Sequence, residues 1–187
     1  MRNNHTRKNE RKDAEGSARK IAVLGMLTAL MLVLGYVEHL IPIPGTVPGM
    51  KLGLSNTVLL YSVYLFSPWS TLMLMLMKVV LSGLLFGGVS AMMYSFAGGL
   101  LSTLGMLALR RVPGVGIVGV SVAGAALHNV GQVLLAILIL KTNQLLYYLA
   151  VLLLVAMGTG FLTGVAADRV LRLVQGKDGG GRQGRCP

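Results

Sequence analysis

The chain predicts an all-α integral membrane protein, a bundle of six transmembrane helices with both termini cytoplasmic. Three observations carry the prediction. Hydrophobic residues make up 54% of 187 positions and charged residues only 12%, whereas soluble domains carry about a quarter charged residues. Apolar sequence runs almost unbroken from Ile21 to about Leu173, with Pro, Gly and a few charges cutting it at intervals. A crossing needs roughly 20 mostly apolar residues, so the run accommodates six crossings joined by short loops.

Residues 1–20 are polar and unpatterned and are read as a disordered cytoplasmic arm. It contains seven of the chain's 17 basic residues: Arg2, Arg7, Lys8, Arg11, Lys12, Arg19 and Lys20. The first span covers about 21–40, too long for the apolar region of a cleaved signal peptide. It ends in a loop rich in chain breakers, with Pro42, Pro44, Gly45 and Pro48. The second covers about 52–66 and stops at Ser67-Pro68; it is short for a crossing, which leaves re-entry of the 49–56 stretch into the membrane open. The third runs from Trp69, placed to anchor at an interface, to Phe86. After Gly87-Gly88 the fourth reaches Leu109 and ends at Arg110-Arg111. The fifth follows Pro113-Gly114 and reaches Leu140, and the sixth runs from Leu145 to about Val170. The domain thus covers 21–173, followed by a flexible Gly/Arg-rich cytoplasmic tail at 174–187. With the N terminus inside, the outside connections hold only Lys51 and Lys141 as basic residues, as the positive-inside rule requires.

The net charge of +11 is therefore a topology signal and does not call for nucleic acid as a partner. Cys186 is the only cysteine and implies no disulfide, metal site or redox motif. Of six acidic residues, Glu10, Asp13, Glu15 and Asp178 lie in the terminal segments, leaving Glu38 and Asp168. Paired carboxylates, a magnesium-diphosphate motif, a nucleotide-binding lysine loop and a Cys/His cluster are all missing from the sequence. It is read as a non-enzyme with no cofactor.

The chemistry lies in polar residues within the spans. Lys78 sits inside the third, where an ammonium costs at least about 2.5 kcal/mol on insertion scales. It is read either as snorkelling or pairing, with Glu38 the candidate partner, or as a counter-charge for an anionic ligand, with Ser82 on the same face. On the fifth span His128, Asn129 and Gln132 share one face and serve interhelical packing or ligand contact. The segment Gly49-Met50-Lys51-Leu52-Gly53-Leu54-Ser55-Asn56 is an ordinary loop and helix start, or an irregular stretch lining a cavity. Tyr94, Ser95, Gly98, Gly99 and Ser102 form a packing face or a pocket wall. Two small-residue stripes suit close helix approach: Ala22, Gly25 and Ala29 on the first span, Gly160 and Gly164 on the sixth.

The stretches IAVLGMLTALMLVLGYVEHLIPIP, PGMKLGLSNTVLL, GGVSAMMYSFAGGLLS and GAALHNVGQ resemble the Gx transporter family, also catalogued as heptaprenyl diphosphate synthase component I. Its plan is similar to that of the substrate-binding S components of energy-coupling-factor transporters. The resemblance covers about residues 20–172, with KLGLSN and HNxGQ its most specific blocks. It implies a multi-pass protein of the bacterial plasma membrane that binds a small molecule through Lys51, Ser55, Asn56, Lys78, Tyr94, His128, Asn129 and Gln132. It also implies docking through Ala22, Gly25 and Ala29 to a transmembrane coupling subunit with two ATPases. Such proteins are associated with flavin, quinone or isoprenoid metabolism. The competing family name implies a prenyltransferase subunit, noncatalytic here for want of aspartates. A structural or assembly protein is the third class; it has no need of an interior Lys78 or the His128 arc.

Overall fold

The computed structural model describes residues 3–40, 55–142 and 144–179, and all regular structure among them is helical. The order is α1 (Asn3–Leu40), α2 (Asn56–Leu65), α3 (Pro68–Ser82), a π-helical turn (Gly83–Gly87), α4 (Gly88–Leu109), α5 (Ile117–Leu140) and α6 (Leu145–Gly179). Four stretches are long and apolar enough to cross a membrane: Lys20–Val37, Pro68–Leu109, Ile117–Leu140 and Leu145–Leu173. The chain is a multi-pass helical membrane protein that exposes many large apolar side chains, Met26, Leu84, Leu138 and Leu162 among them. Exposed Leu and Met side chains suit lipid.

Pro68–Leu109 is a hairpin. At Gly88 the backbone takes φ 67° and ψ −176°, a region open to glycine and costly for other residues. The two arms then run antiparallel. A Cβ built on Gly83 would lie 2.8 Å from Met92, and one on Gly99 3.2 Å from Met75. The turn thus falls where the Gly87-Gly88 pair predicts it. At the other end of the hairpin, the Ser67 hydroxyl accepts from the Ser70 amide and Pro68 occupies the first helical turn, where its missing N–H costs nothing.

The expected second span is where the structure differs most from the hydropathy reading. Ser55 precedes a helix of only 10 residues, about 15 Å long and half a bilayer core. Residues 41–54, including Lys51, lie outside the described ones. Short as it is, α2 is the centre of the molecule. Val58, Leu59, Leu60 and Val63 are buried with Met31 of α1, Leu74, Met75 and Val79 of α3, Met106 of α4, Val120 of α5 and Ala167 of α6. A second core joins Tyr94 to Val133, Ala136, Leu145 and Leu152. Both terminal helices extend past their apolar parts, α1 back to Asn3 and α6 on to Gly179, through the stretches expected as a disordered arm and the start of a flexible tail. Lys, Arg and Glu are good helix formers, and Asp168 and Arg172 pair at 2.8 Å one turn apart.

Candidate functional site: a polar interior around the start of α2

Polar side chains gather where α2 begins. Lys78 stands about halfway between Pro68 and Gly87 and is 5% exposed. Its Nζ donates to Asn56 Oδ1 at 2.8 Å, so the first turn of α2 supplies one partner, and the candidate Glu38 is not tested. Glu38's side chain is not among those described. Lysine only donates, which assigns the amide orientation of Asn56: the oxygen faces Lys78 and Nδ2 points away. Nδ2 is buried and has no hydrogen-bond partner among the described residues. Ser55, 1% exposed, adjoins this pair at the helix start, and Ser82, also buried, faces α1, where a Cβ on Gly35 would lie 4.0 Å from its Oγ.

On α5, the predicted arc turns wholly inward: His128, Asn129 and Gln132 are 2%, 0% and 1% exposed. Gln132 Nε2 and His128 Nε2 are 2.9 Å apart, consistent with their one-turn spacing. Asn129 Nδ2 donates across to the Leu152 carbonyl of α6 at 3.3 Å, and its Oδ1 is buried without a partner. A carbonyl can only accept, so this amide too is oriented unambiguously. Tyr94 is buried in the second core beside Val133 and Leu152.

A small cavity lies beside Asn56. About 10 Å³ in volume, it is lined by Asn56, Thr57 and Leu60 of α2, Met106 of α4, Ser121, Gly124 and Ala125 of α5, and Thr159, Gly160 and Thr163 of α6. Ala125 precedes His128 and Asn129 by one helical turn. The volume suits one water-sized atom. The structure therefore brings Lys78 and Asn56 together with Ser55 beside them, puts Asn56 on the cavity's lining, and leaves His128, Asn129 and Gln132 one to two turns further along α5, outside that lining.

The glycines nearby hold the helices close. A Cβ on Gly98 would lie 2.5 Å from the His128 carbonyl oxygen, and one on Gly131 2.8 Å from that of Ala97. Gly98 and Gly99 thus belong to packing faces, and Ser102 binds the Gly124 carbonyl at 2.8 Å. Gly160 and Gly164 pack against Val122 and Val118 of α5. Ala22, Gly25 and Ala29 behave otherwise: all three are exposed, and a Cβ on Gly25 would meet nothing within 4 Å.

Sequence reasoning missed a set of buried hydroxyls. Ser62 and Thr71 are bonded at 3.0 Å, Ser121 and Thr163 at 3.2 Å, and Thr103 Oγ1 is buried with no partner. It also missed Arg110, which follows α4 and donates to the Val63 carbonyl near the end of α2. The cue was there: a cation after a helix finds carbonyls that the last turn of its own or a neighbouring helix leaves unbonded.

The fold and its polar interior define a multi-pass helical membrane protein with buried hydrogen-bonding groups at mid-bundle. The chain belongs to the heptaprenyl diphosphate synthase component I family, whose model matches residues 27–170. No curated protein and no solved structure matches the chain.

Proposed function

We propose that the protein is the substrate-binding membrane subunit of a small-molecule uptake transporter, S-component-like, with six crossings and both termini in the cytoplasm of a bacterial plasma membrane. The observation that carries the reading is the buried polar interior, above all Lys78 held by Asn56. Intramembrane ionisable residues are costly and mark functional sites by default. Packing alone would be served by amides satisfied at both ends, yet Asn56 and Asn129 each use one end and keep the other in reserve. The ligand contacts Ser55, Asn56, Lys78, Tyr94, His128, Asn129 and Gln132, while Ala22, Gly25 and Ala29 meet a coupling subunit with two ATPases. Basic residues concentrated at the two termini and at Arg110-Arg111 support the orientation.

Native mass spectrometry of the detergent-purified protein tests this through its copurified small molecules. A bound vitamin-like compound is expected. Removing one partner of a buried charge-assisted contact typically costs about 2–5 kcal/mol, roughly 30-fold or more in affinity. Lys78→Met and Asn129→Ala should each lose that compound while keeping the bundle folded; retention by both would move the site elsewhere.

The family name favours a second reading, a noncatalytic membrane partner of a heptaprenyl diphosphate synthase in isoprenoid or quinone biosynthesis. Copurification of a prenyl diphosphate, or of a soluble synthase subunit, would select it.

A further inference from the structure

The hairpin of α3 and α4 carries a trough on its outward face. One cavity of about 210 Å³ opens between Trp69, Met73 and Leu76 of α3 and Phe96 and Leu100 of α4. A second, of about 200 Å³, lies between Leu76 and Val80 of α3 and Met92, Met93 and Phe96 of α4. Leu76 and Phe96 line both, so the two form one trough, and every residue lining it is apolar. From Trp69 to Val80 it runs about 17 Å at the helical rise, close to the roughly 15 Å of hydrocarbon in one leaflet. That is the reach of one acyl chain. Trp69, exposed in the first turn of α3, marks the interfacial end, where tryptophan gathers in membrane proteins.

Positive charge lies at that same end. Cβ atoms on Gly99 and Gly83 would touch Met75 and Met92, a register that puts Trp69 level with Gly105 and Arg111 six residues, about 9 Å, further out. Phe96, Leu100 and Leu104 follow one another along one face of α4, and Arg111, two turns after Leu104, continues it. Arg111 is exposed and makes no ion pair among the described residues. Lys20, Arg110, Arg169 and Arg172 stand at this end too, because Tyr36 packs on Phe86 at the opposite one and Gly164 packs on Val118 near the start of α5. Among the described side chains Asp168 is the one carboxylate set against these five cations. Such a surface favours an anionic headgroup over a zwitterionic one.

We infer that the trough is a site for an anionic phospholipid, with one acyl chain lying along α3 and α4 from Trp69 to Val80 and the phosphate accepting from Arg111. Met73, Met75, Met92 and Met93 all line it, and their unbranched, polarizable side chains adapt to a flexible chain. The site lies outside the polar interior and is independent of the uptake reading. Under the proposed orientation it belongs to the cytoplasmic leaflet.

The test titrates the full chain in detergent separately with phosphatidylglycerol and with phosphatidylcholine of the same acyl chains, and reads bound lipid by native mass spectrometry. One phosphatidylglycerol per chain is expected at concentrations where phosphatidylcholine binds more weakly. Arg111→Gln should weaken phosphatidylglycerol roughly fivefold, the worth of one basic residue near an anionic surface, and leave phosphatidylcholine unchanged. Leu76→Trp fills the trough where its two cavities meet and should reduce both lipids, whereas Leu138→Trp, on the outward face of α5, should reduce neither. All three positions are exposed, so the bundle should stay folded in each variant. Equal retention of the two lipids by the wild type, or undiminished phosphatidylglycerol in Arg111→Gln or in Leu76→Trp, would overturn the site. A dimer of the chain that Leu76→Trp abolishes would assign the trough to a second copy and overturn it as well.

Discussion

Two stripes of small residues are written in the same way and used in opposite ways. Gly160 and Gly164 on α6 lie against α5, their absent side chains replaced by Val122, Val118 and Ser121. Ala22, Gly25 and Ala29 on α1 face outward among Ile21, Met26 and Leu30. Small residues let two backbones approach, and in lipid that close approach supplies much of the drive for association. The pattern therefore states that a helix can be approached closely. It does not say by which helix, and here one stripe has its neighbour within the chain while the other has none among the described residues.

Substitution at the α6 stripe should have the largest effect on stability. In Gly160→Leu a Cβ would already stand 2.9 Å from the Val122 Cα, and backbone yields less readily than a side chain. Overpacking commonly costs about 1–3 kcal/mol, and the upper end is expected here, read as a lower unfolding midpoint in detergent. A midpoint within error of the wild type would mean that the α5–α6 seam is looser than its geometry. Ser121→Ala probes the same seam more gently by deleting the hydroxyl contact to Thr163; a loss of about 0.6 kcal/mol, the average for interhelical hydrogen bonds in membranes, is expected by the same assay. Gly25→Leu should change the isolated chain's stability by less than about 0.5 kcal/mol, as surface substitutions do. Its effect should fall instead on copurification of a coupling subunit, which is expected to be lost. If the partner is retained, the outward stripe is a lipid face; if the isolated chain unfolds more readily, α1 packs internally after all.

Much of the architecture was legible because membrane helices are announced by composition. The hairpin at Gly87-Gly88, the ends of α4 and α5 at Leu109 and Leu140, and the inward face of His128, Asn129 and Gln132 follow from breakers and helical spacing. That the second span is short was legible, but the start of α2 within it was not. From Leu52 to Phe66 the sequence is apolar apart from glycine, tyrosines and short polar side chains, and hydropathy does not report where a helix starts within such a run. Lys78's partner was likewise out of reach. Burial demands a partner for an ammonium, but spacing does not point to an amide on a different helix, and it is the packing of α2 against α3 that brings Asn56 to Lys78. The hydroxyls were obscured for a related reason. A serine or threonine in an apolar helix can bond its own preceding turn, as Thr28 does to the Leu24 carbonyl, or a neighbour, as Ser62 does to Thr71, and spacing alone does not separate the two.

Arg110 gives the short helix a second attachment. Its guanidinium reaches the Val63 carbonyl at one end of α2, while Lys78 grips Asn56 at the other. A rod about 15 Å long is thereby tied at one tip to the middle of the hairpin's first arm and at the other to the turn after α4, where Arg111 stands exposed, so the buried tip and the surface turn are two ends of one helix.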